Sequence, residues 1–546
     1  MAEKMSFMKS LITGECKHDI VLPYPKIDED QRETVAMLLE SLDRFAKDGI
    51  DGAAIDEAGK LPQEIIDQFK ELGLFGLIVP EDYEGFGFSQ SMYNMLMSRL
   101  SSHDASCSLL IGAHASIGFK ALLLYGSEEQ KQKYFPKLAS GETIAAFCLT
   151  EPNSGSDAGS IQTKAEKSED GSHYLLNGSK IWITNGGIAD FFTVFARTGD
   201  KISAFIVTRD MGVKSGPPEK KMGIKGSNTT TLYFEDVKVP AENLLWEEGK
   251  GFRIAMEVLN QGRLGLSAGC VGPSYEVLKM SLEHAQKREQ FGEPIFNFEM
   301  IKAKLSRMTV SAFIMDAMVY LTSGICDKKE YDYSLESAIC KVFCSEQLWQ
   351  NVHDALQIAG GIGYMKEYPY ERIMRDARIN IIFEGSNEVL RMFIALQGAK
   401  FLGNEMMAGK IEAIQSAKAE LTGVDASLSE AKDVFLSGAA FLKEMTMTSV
   451  MEFQFDIVKK EYIQERIADI AIHTYAVLAG ISKCQAIIEE EGADQGKHWV
   501  DLLILFVRDA KVKIERWHAD FKDPSDELRS KIVQDIADNQ GLLHSR

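Results

Sequence analysis

The sequence lacks the cysteine patterns of disulfide-rich and zinc-binding proteins. Its eight cysteines form no C-x-x-C pair, and none has a histidine at the spacing of a zinc site. Neither a disulfide framework nor a structural metal is therefore indicated. The sequence also has no uninterrupted apolar run of the length that spans a bilayer. We expect a protein of a reducing compartment, without membrane-spanning segments.

Positive charge is also scarce. Lysine and arginine together number 60 against 80 aspartates and glutamates, so the formal net charge is −20. A field of this sign repels nucleic acid and anionic lipid. The N-terminus has no long apolar run, and Glu15 with Asp19 argue against a transit peptide. We expect a bacterial cytoplasmic protein that does not bind nucleic acid, with peripheral contact with the inner membrane as an open alternative.

The composition is that of an ordinary soluble globular protein, with 546 residues, 45% hydrophobic and 26% charged. This length predicts three or four domain-sized units. Apolar residues recur at helical spacing from Asp28 to Ser102, and the stretch from Cys107 to Leu124 is apolar almost all round, which predicts a buried helix. Ser127 and Gln130 fit a capping box. These patterns predict an N-terminal helical domain over residues 1–143.

The period changes from helix to strand near residue 144. A strand-like run to Thr150 is followed by a turn-rich stretch, Glu151 to Asp157. An Asn177-Gly178 pair predicts a hairpin turn inside the next apolar stretch. The other predicted strands cover residues 173–184, 191–197, 202–208 and 229–237. Together they predict a β domain over residues 144–250.

Helical patterns return after residue 250 and persist to the end of the chain. They predict a helical bundle over residues 251–402 and a C-terminal helical extension over residues 403–546. The polar, Gly- and Ala-rich stretch 403–424 resembles a linker. The stretch from Gln464 to Glu491 places its apolar residues on one stripe, which indicates an amphipathic helix. The fold class predicted is mainly α with a central β domain.

One carboxylate lies in unusual surroundings, in the sequence Phe383-Glu384-Gly385. Apolar neighbours should remove water from Glu384, which raises its pKa and makes it a better base. The alternative is an ordinary helix-start charge that complements the helix dipole. Local spacing alone favours this second interpretation.

Four further stretches carry residues suited to binding a polar or aromatic ligand. The turn Thr150 to Asp157 offers hydroxyls and backbone N–H groups, and Trp182 with Thr184 lie on one side of a strand as an aromatic wall beside a hydroxyl. Arg288 in Arg-Glu-Gln-Phe-Gly offers a guanidinium for a diphosphate, and the glycines after Gln357 allow close backbone approach. For each, an ordinary loop, strand or helix end is the alternative interpretation.

Taken together and in this order, these segments resemble the acyl-CoA dehydrogenase family of flavoproteins. The resemblance covers residues 28–400. The opening residues Ser6 to Gly14 and the tail from Gly403 resemble the very-long-chain branch of that family. The resemblance implies a helical domain, a β-barrel or sandwich domain, a four-helix bundle and a C-terminal helical domain.

The resemblance implies site residues position by position. Glu384 matches the family's catalytic base, and Gly262 occupies the place where other members carry that base, so Glu384 is left as the only family candidate. A glycine there should also widen the acyl channel. The positions that match FAD contacts are Phe147, Leu149, Thr150, Ser156, Trp182, Thr184, Arg288, Phe291, Gln357, Gly361, Ser386 and Glu388, some of them serving the neighbouring subunit. The positions that match substrate contacts are Ser156, Asn260, Arg263, Phe383 and Gly385.

The function that the resemblance implies is FAD-dependent conversion of a long-chain acyl-CoA into trans-2-enoyl-CoA in fatty acid β-oxidation. Electrons would pass to an electron-transferring flavoprotein, and a homodimer is expected, with a tetramer as the alternative. Two other functions stay open. Relatives with this tail include assembly or scaffold proteins with little turnover, and an acyl-CoA oxidase would return the electrons to oxygen.

Overall fold

The computed structural model describes residues 4–539 of the chain. It is 66% helical with a curled β-sheet, which confirms the predicted class of a mainly α protein with a central β domain. Two compact units are present among these residues: one contains residues 25–387, and the other contains residues 4–24 together with residues 388–539. The first residues therefore group with the C-terminal region, whereas the sequence placed them in the N-terminal helical domain.

The first part of the chain is helical. Ser127 and Gln130 form the expected capping box, with the Ser127 hydroxyl accepting from the Gln130 backbone N–H. A π-helical segment, Ala113–Gly118, interrupts the predicted buried helix. Its buried His114 accepts from the Ala145 N–H and donates to the Leu138 carbonyl, so it is a satisfied core residue. The α-helices are α1 (Phe7–Ile12), α2 (His18–Val21), α3 (Glu29–Gly49), α4 (Gly52–Ala58), α5 (Gln63–Glu71), α6 (Gln90–His103), α7 (Ala105–Gly112), α8 (Lys120–Tyr125) and α9 (Glu128–Ala139).

The central sheet has seven strands in the order β1-β4-β2-β3-β7-β6, with β5 paired to β4. Strands β1 and β4 are parallel, whereas β3 and β7 form a long antiparallel pair. The seven strands are β1 (Ala145–Cys148), β2 (Lys164–Lys167), β3 (His173–Thr184), β4 (Phe191–Thr198), β5 (Lys201–Thr208), β6 (Lys214–Ser215) and β7 (Thr229–Pro240).

The hairpin predicted at Asn177-Gly178 is wrong. Strand β3 runs through both residues without a turn, and its pairing with β7 shifts register between Leu176 and Gly178. Gly178 has φ +151°, and a Cβ there would lie 2.5 Å from Oγ1 of Thr163. The Asn-Gly pair therefore makes a bulge that lets another segment approach closely, because glycine suits bulges as well as turns.

The bundle of the larger unit is built from α6 and three long helices that pack against each other. Its faces are largely apolar, and Gly272 lets α10 approach α6 so closely that a Cβ there would lie 1.8 Å from the Ser98 carbonyl oxygen. The strands and helices of this part are α10 (Gly251–Lys287), β8 (Glu289–Gln290), β9 (Glu293–Pro294), α11 (Glu299–Asp327), α12 (Ser334–Ala359), α13 (Gly361–Tyr364) and α14 (Tyr370–Ala377). The next helix, α15 (Asn387–Met407), belongs from Glu388 onward to the other unit.

The C-terminal region is helical, as expected, but the predicted linker 403–424 is partly wrong. Helix α15 continues to Met407, and a further short helix lies inside the stretch, because its Ala, Glu and Met residues are good helix formers. Among the last helices, α17, α18 and α19 pack against each other. The helices are α16 (Ile411–Ser416), α17 (Ser429–Phe453), α18 (Glu461–Glu491), α19 (Ala493–Ala519) and α20 (Ser525–Asp538).

Among the described residues are helices that are apolar over a length not recognised in the sequence. Three helical stretches, Ala105–Tyr125, Glu299–Asp327 and Glu461–Glu491, are long and apolar enough to cross a membrane by length and composition alone. The sequence interpretation missed them because it counted only uninterrupted apolar runs, whereas mean hydropathy tolerates a few polar residues. Most of each stretch is buried inside the protein.

Candidate active site

Glu384 lies in a short bend between a 3-10 helix, Arg378–Ile381, and the first residue of α15. Its backbone is left-handed, with φ +57°, and Gly385 follows with φ +91°. A left-handed conformation at a non-glycine residue costs about 1–3 kcal/mol and persists only where its surroundings hold it. The carboxylate is therefore not the helix-start charge of the local interpretation but part of a strained bend.

Two cations hold the carbonyl groups of this bend. Nε of Arg263 donates to the Glu384 carbonyl at 3.2 Å. Nζ of Lys341 donates to the Gly385 carbonyl at 2.8 Å and to Oδ1 of Asn387 at 2.8 Å. Arg263 is on α10 and Lys341 is on α12, so two bundle helices fix the bend from different sides.

Burial raises the pKa of Glu384 above its ordinary value, and the positive charges of Arg263 and Lys341 oppose part of this rise. The expectation of a raised pKa is thus confirmed. Among the described residues, Oε2 of Glu384 is buried without a hydrogen-bond partner. A buried carboxylate oxygen without a partner is costly unless a ligand or water satisfies it. The arrangement suits a base that accepts a proton from a bound molecule.

Glu384 opens into a cavity of about 1120 Å³, a volume that includes its mouth. Thr184 from β3 and Phe383 share the wall with Glu384, so three of the predicted site residues face one space. Much of the remaining wall is apolar or small. These residues come from α6, α7, the π-helical segment and α10, and they include Met97, Leu109, Gly112, Ala113, Ile117, Gly265, Leu266 and Gly269.

A row of glycines on α10 makes room along this cavity. At Gly262 a Cβ would lie 2.8 Å from Cγ2 of Ile117 and 3.1 Å from Oε2 of Glu384, whereas at Gly269 a Cβ would meet no atom within 4 Å. The wall follows α10 from Gly262 to beyond Pro273. At 1.5 Å per residue, this is a length of about 16 Å. The cavity is therefore a long channel that begins at the Glu384 carboxylate.

The cavity wall also contains a buried polar cluster. Arg372 Nη1 lies 3.2 Å from Oδ2 of Asp104 and 4.0 Å from Oδ2 of Asp376. Burial raises the pKa of Asp376 to about 6, although it accepts a hydrogen bond from the Ile224 N–H. The channel thus combines apolar walls with a few fixed polar groups, which is typical of ligand-binding cavities.

Trp182 and Thr184 lie at an irregular part of β3. The pairing with β7 shifts register between Lys180 and Ile183, and Trp182 has φ +56°. Ile183 is buried, whereas the Trp182 side chain is 64% exposed. The indole ring therefore offers an open face on the strand that brings Thr184 into the cavity wall.

The turn after β1 is anchored to this strand. Nζ of Lys180 donates to the Leu149 carbonyl at 3.0 Å and to Oε1 of Glu151 at 2.7 Å, and the Thr150 carbonyl accepts from the Ile181 N–H at 3.0 Å. The Phe147 ring lies 5.0 Å from the Phe195 ring. Leu149, Thr150 and Glu151 are thus held at the same end of β3 as Trp182, and Phe147 packs on the neighbouring strand β4, whereas Ser156, further along the turn, is exposed.

The remaining predicted cofactor positions lie outside the cavity wall. Arg288, Gln357 and Gly361 are exposed, and Phe291 is 96% exposed on the β8–β9 hairpin. Behind the bend, Asn260 accepts from Nη1 of Arg263 at 3.0 Å, so both residues support the bend. Two positions follow the bend at the start of α15: Ser386 is half-buried and Glu388 is exposed.

Sequence reasoning missed Lys341 and the glycine row. A lysine within an apolar helix carries no local signal of burial, because most lysines are on surfaces. The spacing of Gly262, Gly265 and Gly269 is visible in the sequence and could have indicated a groove on one face of α10. The sequence does not show what this groove faces. The structure shows it, because Gly262 lies opposite Glu384.

A helical bundle, a β domain and a buried carboxylate at the head of a deep apolar channel define an enzyme that acts on an apolar substrate. Sequence models of the acyl-CoA dehydrogenase N-terminal, middle and C-terminal domains match residues 32–142, 146–237 and 249–398. The chain belongs to the acyl-CoA dehydrogenase family, which confirms the resemblance found in the sequence and makes the protein an oxidoreductase.

Individual relatives agree with this assignment. The chain is 41% identical to a mitochondrial very long-chain specific acyl-CoA dehydrogenase of Bos taurus over 89% of this chain and 79% of the relative. It is similar to an acyl-CoA dehydrogenase of Bacillus anthracis complexed with FAD, with a TM-score of 0.83, 32% identity, and coverage of 95% and 92%. A chain in a structure titled as the electron transferring flavoprotein of Acidaminococcus fermentans matches with a TM-score of 0.64, 38% identity, and coverage of 68% and 98%.

Proposed function

We propose that the protein catalyses the FAD-dependent α,β-dehydrogenation of long-chain acyl-CoA, with Glu384 as the base that removes the α-proton. The observation that carries this proposal is the buried, unpartnered Oε2 of Glu384 at the head of an apolar channel. The proposal is tested by anaerobic reduction of the bound flavin with palmitoyl-CoA.

The residues present fit an FAD ring system. The exposed face of Trp182 and the Thr184 hydroxyl in the cavity wall offer a stacking surface and a hydrogen-bonding group close together. The anchored turn at Leu149 and Thr150 is held beside them by Lys180. The FAD-bound structure of the Bacillus anthracis relative supports the same cofactor. We therefore assign FAD contacts to this part of the β domain.

Glu384 is suited to α-proton removal for two reasons. Burial raises its pKa towards the range of an efficient base, while Arg263 and Lys341 keep this rise within limits. Its buried position at the head of a largely apolar channel also strengthens its electrostatic interactions with a bound thioester. The backbone N–H of Glu384 would donate to the thioester carbonyl oxygen, where negative charge develops. When bound, FAD supplies the acceptor for the β-hydrogen, which leaves as hydride.

A long acyl chain is proposed as the substrate because the channel continues past the reacting carbons. The channel wall follows α10 for about 16 Å, from Gly262 to beyond Pro273, and Gly262, Gly265 and Gly269, spread over about 10 Å of it, add no side chains. A bulky side chain at any of these positions would close it. The very-long-chain relative, 41% identical, supports the same preference.

Gly269→Phe is expected to shorten the accepted chain. A Cβ at this position meets open space in the channel, so the ring can enter it without displacing the backbone. We expect kcat/KM for palmitoyl-CoA to fall by about tenfold or more, because 1.4 kcal/mol of lost apolar contact is tenfold and several methylenes are excluded. The measurement is steady-state turnover of palmitoyl-CoA and butyryl-CoA by wild type and variant. An unchanged ratio of the two values would show that the acyl chain does not follow α10.

The electron acceptor proposed is an electron-transferring flavoprotein. The Acidaminococcus fermentans match supports this choice, as does family membership. The same turnover experiment distinguishes the oxidase alternative, because an oxidase forms hydrogen peroxide in air at the rate of substrate loss. A scaffold without turnover would leave the flavin oxidised when acyl-CoA is added.

A homodimer is proposed because several predicted FAD positions are exposed and lie outside the cavity wall, with exposed apolar residues among and near them in sequence. Phe291 is 96% exposed and Tyr364 is 80% exposed, and Met300 nearby in sequence is 82% exposed. A second copy of the chain would cover such residues, and Arg288, Phe291, Gln357 and Gly361 would then contact the FAD of that copy.

The eight cysteines are free thiols, and they support the proposal of a reducing, cytoplasmic compartment.

Phe291→Ser is expected to weaken both the dimer and FAD retention. Burying a phenylalanine is worth about 1.5–3 kcal/mol, so the dimer dissociation constant should rise by about 10- to 100-fold. Sedimentation velocity across a concentration series measures the dimer, and the ratio of flavin to protein after gel filtration measures retention. Tyr462→Ser, which changes another exposed aromatic residue in the other unit, is the control. An unchanged dimer with unchanged flavin content would contradict the proposed role of Phe291.

A further inference from the structure

Lys341 is a buried lysine with an unusual set of partners. It lies on α12, and the residue is 0% exposed. Removing an ammonium group from water is costly unless its hydrogen bonds are replaced. Here Nζ donates to the Gly385 carbonyl and to Oδ1 of Asn387, each at 2.8 Å. A buried charge with two such specific acceptors indicates that Lys341 has a role in holding the groups it contacts.

The acceptors belong to the strained bend that carries the base. Glu384 and Gly385 are consecutive left-handed residues, at φ +57° and +91°. Arg263 holds the first carbonyl of the pair and Lys341 holds the second. Without these two donors, nothing in the bend itself favours a left-handed glutamate.

Asn387 extends this arrangement to the start of α15. While its Oδ1 accepts from Lys341, its Nδ2 donates to Oγ of Ser345 at 3.1 Å and to Oε1 of Glu346 at 3.0 Å. Both acceptors are on α12, one turn beyond Lys341. The bend is therefore clamped to α12 immediately after the base, and Lys341 is the member of this clamp that reaches the bend backbone.

We propose that Lys341 is a positioning residue, which holds the Glu384–Gly385 backbone in the geometry that aims the Glu384 carboxylate into the channel. Its side chain is not part of the cavity wall, so it acts through the base. This inference rests on the proposed role of Glu384. It goes beyond that role by naming Lys341 as the residue that holds the base in position. Arg263 alone would leave the Gly385 carbonyl without the donor that Lys341 supplies.

The charge of Lys341 also bears on the ionisation of the base. Lys341 faces Cys270 and Arg263 on α10, Glu346 on its own helix, and Glu384 in the bend. Burial lowers the pKa of Lys341 to about 8; Cys270, Glu384 and Glu346 favour its charged form, and Arg263 opposes it. At neutral pH the ammonium form therefore stands beside the bend and favours the carboxylate form of Glu384. Removing the charge should move the pKa of Glu384 further upward.

The test compares Lys341→Met and Lys341→Arg with wild type in the FAD-loaded protein. Three readouts are used: the anaerobic rate of flavin reduction by palmitoyl-CoA, the pH at which this rate is half-maximal, and exchange of the α-protons of a 3-thia-acyl-CoA in D₂O. In the last compound sulfur replaces the β-carbon, so no hydride can leave and only proton removal is observed. Thermal unfolding and palmitoyl-CoA affinity are measured in parallel.

We expect Lys341→Met to lower both flavin reduction and α-proton exchange by about 10- to 100-fold, because small misplacements of a catalytic group have effects of this size. The half-maximal pH should rise, and palmitoyl-CoA affinity should change by less than about threefold. Lys341→Arg keeps the charge but not the geometry, since lysine and arginine differ in shape. It should therefore reduce both rates while leaving the half-maximal pH near that of wild type.

The matched control is Lys120→Met, which removes another buried lysine, one that is not in the cavity wall. Its rates and half-maximal pH should equal those of wild type. The inference is overturned if Lys120→Met falls as far as Lys341→Met, or if a folded Lys341 variant exchanges α-protons at the wild-type rate. Should Lys341→Met fail to fold, the test uses Lys341→Arg, and α-proton exchange at the wild-type rate by that variant would overturn the inference. If Glu384→Gln keeps wild-type rates, the proposed function fails instead, whatever the Lys341 variants do.

Discussion

Replacing Glu384 with glutamine is expected to lower the rate of flavin reduction by acyl-CoA by about 10²- to 10⁴-fold, the usual contribution of a general base. Glutamine keeps the size of the side chain but cannot accept the α-proton. Because Oε2 of Glu384 has no partner among the described residues, the substitution breaks no hydrogen bond of that oxygen. Folding and FAD content should therefore stay close to those of wild type. Anaerobic stopped-flow reduction with palmitoyl-CoA measures the effect.

Glu276→Gln is the control for this experiment. Glu276 is another carboxylate in the wall of the same cavity, four turns along α10 from Gly262. Because it lies away from the reacting carbons, its replacement should change the reduction rate by less than about threefold. A Glu384→Gln protein that reduces its flavin at the wild-type rate would remove Glu384 as the base.

Lys180→Met is expected to destabilise the protein by about 3–5 kcal/mol, the effect of leaving one charge of a buried ion pair alone. Nζ of Lys180 lies 2.7 Å from Oε1 of Glu151, and both side chains are buried. Glu151 also accepts from the backbone N–H groups of Gln162 and Thr163. The pair therefore ties the turn after β1 to β3, and its loss should also weaken FAD retention. Chemical denaturation and flavin content after gel filtration measure the two effects.

The pH dependence of this effect has a defined sign. Burial on its own raises the pKa of Glu151, but Lys180 and the hydrogen bonds reverse this, so that the net shift is downward. A carboxyl with a lowered pKa contributes stability above the ordinary glutamate pKa of about 4.3 and loses it as the pH falls through the lowered value. The stability difference between wild type and Lys180→Met should thus be full at neutral pH and narrow in acid.

The control is Lys214→Met, which removes an equally close ion pair, with Glu235, from an exposed position. Exposed pairs contribute about 0–1 kcal/mol, because water screens them. A loss below about 1 kcal/mol for Lys180→Met as well would show that the buried pair does not stabilise the turn.

Regular periodicity made most of the fold predictable. The helices of the bundle and strands β4, β5 and β7 repeat their apolar residues over many positions, so the period alone separates helix from strand. An error arose where the same residue pair is typical of two different structures. Asn177-Gly178 carries the pattern of a hairpin turn but makes a bulge, because Thr163 approaches the glycine. The contact with Thr163, which is distant in sequence, determines the backbone conformation at this position.

The site was predictable only as far as a family resemblance identified it. Read locally, Glu384 was more compatible with a helix-start charge than with a base, because the local pattern does not show the channel. Gly262 and Arg263 are on α10, Lys341 is on α12, and the unpartnered Oε2 belongs to the bend, so this arrangement appears only when the chain is folded. Lys341 had no signal at all, since its burial depends entirely on packing.

The most direct test of the account is an anaerobic titration of the FAD-loaded protein with acyl-CoAs of increasing chain length, followed by the visible absorbance of the flavin. The account predicts that palmitoyl-CoA bleaches the flavin of wild type at a nearly stoichiometric ratio, that butyryl-CoA does so far more slowly, and that trans-2-enoyl-CoA accumulates. A flavin that stays oxidised with every chain length, in a protein that retains FAD, would contradict the assignment of this site to acyl-CoA dehydrogenation.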